Sequence, residues 1–194
     1  MIKTNDRRVQ RTHQLLREAL FTLIQERGFE KLSVQDIIDR ANIGRATFYV
    51  HFDNKEDLLF SGFDILRTSL RNRQRVALAR KEGGDGRLFA NSHELLSHVY
   101  EHRHLFQAMV GESSGTATQR ALHRLAVNLV RDDLHAVQER IHEPVRSNEA
   151  VVEFIAGGLF GLVMWWLNSK KMLSIEEVDS LFRSLAIPAA KATA

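Results

Sequence analysis

Residues 33–59 read SVQDIIDRANIGRATFYVHFDNKEDLL, and the rest of the chain is best interpreted from this stretch. Ser33 has an acidic residue three positions later, a capping pattern that predicts a helix over 33–41. Residues 42–44, Asn-Ile-Gly, then interrupt it, because Asn and Gly both tolerate turn conformations. A short second helix is predicted over 45–51, so the segment is a helix-turn-helix.

The two faces of this segment differ in chemistry. Apolar side chains are spaced to hold the second helix against the first: Ile37, Ala41, Ile43 and Phe48. The other face carries hydrogen-bonding side chains on a very short helix: Arg45, Thr47, Tyr49 and His51. Such groups can reach base edges or backbone oxygens of DNA, and Lys55 would add positive charge at the next helix N-terminus. The alternative is a solvated face, since short helical hairpins are common in all-helical cores.

The amino-acid sequence of this stretch closely resembles the signature of tetracycline-repressor-like (TetR/AcrR) regulators. The resemblance covers about residues 7–60 and includes Gly28-Phe29, Thr47-Phe48-Tyr49, His51-Phe52, Lys55-Glu56 and Leu58-Leu59. It implies a homodimer on a pseudo-palindromic operator, usually repressing and released by a small ligand. It places DNA contacts at Ser33, Gly44, Arg45, Thr47, Tyr49, His51 and Lys55. Val50 departs from the pattern, because many relatives carry a polar or aromatic residue there, and this puts one phosphate contact in doubt.

Charge is distributed unevenly along the 194 residues. Residues 1–55 contain ten Lys and Arg against seven Asp and Glu, whereas residues 56–194 contain seventeen of each. A basic N-terminal part suits nucleic-acid binding, and Arg7, Arg8 and Arg11 are candidates for flanking phosphates, with plain solvation as the alternative. The chain has no cysteine, no nucleophile motif and no phosphate-cradling glycine loop, so an enzyme is not expected and no cofactor is predicted.

Helical periodicity runs through the whole chain, and strand patterns are nearly absent. We expect an all-α protein of about nine helices. A helix-turn-helix domain is predicted over 1–53, a helical effector-binding and dimerisation domain over 54–188, and a frayed tail over 189–194. Pro188 is expected to close the last helix.

The block from Phe154 to Leu167 is apolar almost all round its helix, so it must be buried on more than one side. We expect the helices over 147–169 and 174–186 to form the homodimer interface, with an ordinary monomer core as the alternative. The apolar run is shorter than the roughly 18–20 residues that span a bilayer. No secretory signal is visible, and a cytoplasmic protein without a membrane partner is expected.

Two further sets of residues are candidates for ligand binding. Apolar side chains of the middle helices predict a hydrophobic or aromatic effector, although plain core is the simpler reading; they are Phe63, Leu66, Leu95, Val99, Phe106, Met109, Leu122, Leu125 and Leu129. A histidine cluster comprises His93, His98, His102 and His104. His98 and His102 are four apart, a spacing at which two imidazoles can meet one metal ion, so a metal-responsive regulator is the alternative to structural histidines.

Overall fold

The computed structural model describes residues 2–79, 88–110, 116–141, 148–169 and 173–191. Within these ranges the chain forms nine helices and no strand, as the sequence predicts. They are α1 (Ile2–Arg27), α2 (Val34–Ala41), α3 (Arg45–His51), α4 (Lys55–Ala79), α5 (Ser92–Glu101), α6 (Arg103–Val110), α7 (Thr116–Ile141), α8 (Glu149–Asn168) and α9 (Ile175–Lys191). The sequence also favours loops at 82–86 and 111–116 and a helix end at Pro144. The first loop, most of the second and the helix end lie outside the described residues.

Local capping chemistry sets the boundaries of the first three helices. Ser33 Oγ accepts the N–H of Asp36, and the Asp36 carboxylate accepts the N–H of Ser33, which completes the predicted capping box. Gly28 ends α1 with a φ of 77°, and Asn42 ends α2 with a φ of 53°. These are left-handed conformations that Gly and Asn adopt most easily, so the turns occur where these residues stand.

The described residues pack into two units, one of 1–63 with 104–121, the other of 64–103 with 122–194. The predicted boundary followed residue 53, at the end of the helix-turn-helix. The two packing units meet at 63/64 inside α4, at 103/104 at the start of α6 and at 121/122 inside α7, and the boundary after residue 53 stays a prediction. A division within an unbroken helix leaves no Gly, Pro or polar run for sequence analysis to detect.

The first unit is organised around the inner face of α1. Side chains at three- and four-residue spacing, the pattern of an amphipathic helix, are buried there: Leu16, Ala19, Leu20, Leu23 and Ile24. Phe48, which is fully buried, and Phe52 hold α3. Their rings lie 5.9 Å apart, so α3 is anchored along one side, which leaves its other side outward.

The second unit pairs α9 with both α5 and α8. Ser174 and Glu177 form a capping box at its start, with the Ser174 N–H donated to Glu177 Oε2 at 2.7 Å. The predicted end was wrong, because α9 contains Pro188 and continues to Lys191. Its buried face recurs every four residues and extends past the proline: Val178, Phe182, Ala186 and Ala190. Burial of that face offsets the hydrogen bond that proline removes, so the expected frayed tail is helical up to residue 191.

Helix α8 lies within the helix predicted over 147–169 and contains the whole apolar block from Phe154 to Leu167. Its 20 residues are enough to cross a membrane by length and composition alone, and a third of its apolar window is buried within the chain. Core helices of proteins without membrane segments meet the same criterion, so this is weak support for a membrane span. The remaining two-thirds of the window, which are half-buried or exposed, nevertheless require an explanation, which is considered below.

Candidate nucleic-acid interface

Helix α3 presents its polar side chains outward from a buried anchor. Phe48 is fully buried, while Arg45 and Thr47 are exposed and Tyr49 is 45% exposed. Gly44, exposed at the N-cap, provides no side-chain cap, so the first N–H groups of α3 have no such acceptor. The polar face of α3 is therefore exposed, as predicted, and the buried Phe48 supports the helix from the opposite side.

Two contacts orient the guanidinium of Arg45. Its central carbon lies 5.6 Å from the centre of the Tyr49 ring, and Nη1 donates to Gln35 Oε1 at 3.4 Å. The ring attracts the cation electrostatically, and the amide links it to α2. These contacts hold the head group near the surface of α3, where it can donate to an acceptor outside the protein.

His51 lies at the end of α3 against a second histidine. The rings of His13 and His51 are 4.8 Å apart and nearly perpendicular, and His13 also lies 4.8 Å from the Phe52 ring. Burial, followed by the neighbouring His51 and Arg17, lowers the pKa of His13. Among the described residues, its Nε2 atom is buried and has no hydrogen-bond partner. A neutral His13 thus fixes one side of the half-buried His51 ring.

Ser33 and Lys55 both make contacts within the protein. The Ser33 hydroxyl is used in the capping box, which also lowers the pKa of Asp36 because Ser33 donates to its carboxylate. Lys55 Nζ donates to the carbonyl oxygens of Phe29, Glu30 and Leu32 at 3.0, 3.3 and 2.9 Å. The sequence had predicted a Lys55 charge directed at DNA, whereas this ammonium is directed at the turn before α2.

The basic residues of α1 are mostly on the surface. Arg7, Arg8 and Arg11 are exposed, and Arg17 is half-buried. Val50, the departure from the family pattern, is 76% exposed. It adds an apolar group, without hydrogen-bonding capacity, to the outer side of α3.

The second unit contains a small cavity of about 50 Å³. On the same measure one water needs about 10–15 Å³, so there is room for a small molecule. Its walls are mainly apolar and include Leu70, Phe89, Leu95, Leu129, Leu159 and Phe182. Asp133 and Ser92, both 6% exposed, give it a polar edge.

Two of the nine predicted effector residues, Leu95 and Leu129, line this cavity. The other seven are not among its lining residues; they are Phe63, Leu66, Val99, Phe106, Met109, Leu122 and Leu125. All seven except the half-buried Leu66 are buried. Their predicted role in ligand binding stays a prediction.

Sequence analysis missed Phe89, which has an unusual backbone. Its φ is 55°, and Asp133 accepts its N–H at 2.7 Å while Arg183 donates to its carbonyl at 2.8 Å. Helical periodicity in the sequence favours a helix from about residue 88, whereas residues 88–91 form a turn before α5. Partners 44 and 94 residues away hold this turn, and no local pattern signals them.

The histidine cluster is partly assembled at the end of α5. The rings of His98 and His102 are 4.4 Å apart, and with Glu101 they offer ligand atoms within 4.8 Å of one another. Burial, and then the neighbouring His102, lowers the pKa of His98. His93 instead lies 3.6 Å from Glu176, outside this group. Exposed groups of this kind are common without a metal.

Comparison with known proteins covers both parts of the chain. Residues 16–61 match the family described as bacterial regulatory proteins, tetR family, and residues 88–187 match a transcriptional regulator C-terminal region. The chain is 43% identical over 179 residues to an uncharacterised HTH-type transcriptional regulator, YxbF, of Bacillus subtilis. That match covers 84% of this chain and 42% of the longer relative, so the chain spans less than half of its length.

Known structures share the fold at low sequence identity. A TetR-family regulator from Syntrophomonas wolfei is 15% identical with a TM-score of 0.73, over 95% of this chain and 97% of that one. RolR, in complex with the ligand resorcinol, is 19% identical with a TM-score of 0.64, over 95% and 90%. None of these three relatives is described as binding a metal, so they lend no support to the metal-responsive alternative. The solved structures share the fold of this chain, and the two family matches establish that it belongs to the tetR family of DNA-binding transcriptional regulators.

Proposed function

We propose that this regulator is a cytoplasmic homodimer that represses by reading a pseudo-palindromic operator and is released by a small apolar ligand. The observation that carries the proposal is the outward face of α3, supported by the buried Phe48. A short helix held on one side, with donors on the other, fits the major groove, and two copies would read two half-sites. The proposed contacts are those of Ser33, Gly44, Arg45, Thr47, Tyr49 and His51, with Lys55 considered separately below.

Selection of DNA from a random pool by the purified full chain tests operator reading. Enrichment of a sequence with two inverted half-sites is the expected result, and their spacing should be near one helical turn or a multiple of it. A folded chain that enriches no sequence would overturn the proposal. Enrichment of a single, unrepeated half-site would support sequence-specific DNA binding and contradict the proposed dimer.

Arg45→Ala is expected to relax base preference at one position of the half-site. Its guanidinium is placed beside Tyr49, where it can donate two hydrogen bonds to a guanine edge. The discrimination lost should be about 1–3 kcal/mol at that position. Binding of the variant to single-base variants of the selected operator measures this. An equal loss at every sequence would instead assign Arg45 to the phosphate backbone.

Tyr49→Phe is expected to weaken binding to operator and unrelated DNA alike. The substitution keeps the ring that contacts Phe48 and Arg45 and removes only the hydroxyl, which we assign to a phosphate. Loss of one such hydrogen bond corresponds to about 1 kcal/mol. Titration with operator and scrambled duplexes checks the result, and unchanged affinity for both would remove Tyr49 from the interface.

The proposed dimer interface is an exposed stripe along α8. Phe154 and Trp165 are 71% and 51% exposed, and Gly158 and Gly161 lie between them at helical spacing on the same face. A Cβ added at either glycine would meet nothing within 4 Å. Two aromatic groups flanking an open glycine surface are complementary to a second copy of the same stripe, since an aromatic of one copy can cover the glycines of the other.

Helix α9 extends the same proposed surface. Leu181 and Leu185, four residues apart, are 39% and 67% exposed, and α9 packs directly against α8. Contiguous exposed apolar area of this kind marks an interaction site in most proteins. A second copy therefore accounts for the apolar surface of α8 without a membrane.

The cavity of the second unit is the proposed effector site. Its apolar walls favour a small hydrophobic or aromatic ligand, and a relative of the same fold is known with resorcinol bound. Release requires that the ligand bind the DNA-free conformation more tightly than the DNA-bound one. The test has two steps. Small phenols that bind the protein are found by the rise they cause in its unfolding temperature, and the effect of each on operator affinity is then measured.

A cavity-filling variant provides the control for the effector test. Leu129→Trp should abolish the thermal shift caused by any phenol that binds in the cavity, while it leaves operator binding without ligand intact. Ligands that bind this cavity and leave operator affinity unchanged would contradict the release mechanism. They would not affect the assignment of α3 to DNA.

A further inference from the structure

Lys55 occupies a site built from backbone carbonyls. The oxygens of Phe29, Glu30 and Leu32 converge on its ammonium at distances of 2.9–3.3 Å. An ammonium has three N–H donors, so the three carbonyls match its full capacity. The Phe29 ring lies 4.5 Å from Nζ and adds a cation–π contact.

The carbonyl site of Lys55 lies between α2 and α4, the two helices that flank α3 in the chain. The turn that supplies the carbonyls leads directly into Ser33, the N-cap of α2. Lys55 itself is the first residue of α4 and follows the end of α3 after a turn of three residues. One side chain therefore joins the start of α2 to the start of α4.

We infer that Lys55 is a positioning residue for DNA reading, and that it acts through this carbonyl site instead of binding a phosphate. The inference rests on the DNA interface proposed above. By holding the N-termini of α2 and α4 together, Lys55 fixes the angle at which α3 meets the groove.

Two matched variants separate positioning from charge. Lys55→Arg keeps the positive charge, but a planar guanidinium cannot direct three donors from one atom to three converging carbonyls. Lys55→Met keeps the length and removes the charge. If Lys55 positions α3, both variants should lose affinity for the operator by similar factors. The loss should be on the order of tenfold, which corresponds to about one good base contact.

The salt dependence of binding supplies a second readout. The slope of log K against log salt counts neutralised phosphates, and losing one changes it by about one unit. We expect Lys55→Met to bind the selected operator with the slope of the parent. A reduced slope for Lys55→Met, together with parental affinity for Lys55→Arg, would overturn the inference and assign Lys55 to a phosphate. Changes in thermal stability alone, with unchanged operator affinity in both variants, would also overturn it.

A measurement on the unsubstituted full chain covers the case in which a variant does not fold. In protein labelled with ¹⁵N-lysine, an ammonium held by three acceptors should exchange its protons slowly and give a distinct Nζ signal. The absence of this signal from Lys55→Met assigns it. If that variant does not fold, the contact of Nζ with the Phe29 ring assigns it instead. The signal should persist when the selected operator is added. Its disappearance or coupling to phosphorus on DNA binding would contradict the inference. If the random pool yields no operator, the proposed function fails, whereas this signal still reports on the carbonyl site itself.

Discussion

A leucine in place of Gly161 is expected to stabilise helix α8 and at the same time to prevent dimerisation. A Cβ at this position meets nothing within 4 Å, and replacing a mid-helix glycine contributes about 0.5–1 kcal/mol to helix stability. In the proposed dimer the same position lies under the partner, where a branched side chain has no room. Loss of the second half-site should then lower operator affinity by about 100-fold or more.

Sedimentation and thermal unfolding check both halves of this prediction. The unfolding midpoint of the parent should rise with protein concentration, because the dimer is linked to folding, whereas that of Gly161→Leu should not. Gln25→Leu, which adds the same side chain to an exposed position of α1, is the matched control and should remain dimeric. A dimeric Gly161→Leu with parental operator affinity would exclude this stripe from the interface.

Trp166→Ala is expected to destabilise the protomer by about 3–5 kcal/mol, the cost of removing a large buried ring. The side chain is fully buried, its indole N–H donates to the carbonyl of Leu173 at 2.9 Å, and its ring stacks on Tyr100 at 5.8 Å. A domain stability of about 5–15 kcal/mol makes this a large fraction of the total. Urea unfolding at fixed protein concentration measures the change.

The neighbouring tryptophan supplies the control. Trp165 is half-exposed, so Trp165→Ala should destabilise the protomer clearly less than Trp166→Ala does, and it should in addition weaken the dimer. Equal destabilisation of the protomer by the two substitutions would show that both rings belong to one core. The opposite order would mean that α8 is rotated relative to the described packing.

The helix-turn-helix could be predicted almost completely because its information is local. Ser33 with Asp36 and Asn42 with Gly44 set helix ends through contacts within a few residues, and both ends are where the sequence predicts. The buried Phe48 and the exposed Arg45 follow from helical spacing alone. The DNA contacts themselves stay predictions.

The proposed effector region could be predicted only as a set of apolar helices. Leu95 and Leu129 line the cavity, whereas Leu122 and Leu125 do not, although all four have the same chemistry. The positive φ of Phe89 depends on Asp133 and Arg183, which are distant in the chain. Pattern analysis cannot select among equivalent apolar positions, because the choice is made by which helices pack together.

Sequence alone determined the all-helical architecture and the position of the helix-turn-helix, because caps, turns and helical periodicity act over short distances. The residues of that segment also indicated the family. Tertiary structure decided which of Trp165 and Trp166 is buried, where α9 ends, and what the Lys55 ammonium contacts. Each of these depends on groups brought together from separate segments. The three carbonyls around Lys55 lie 23–26 residues earlier in the chain, and only folding makes them a single site.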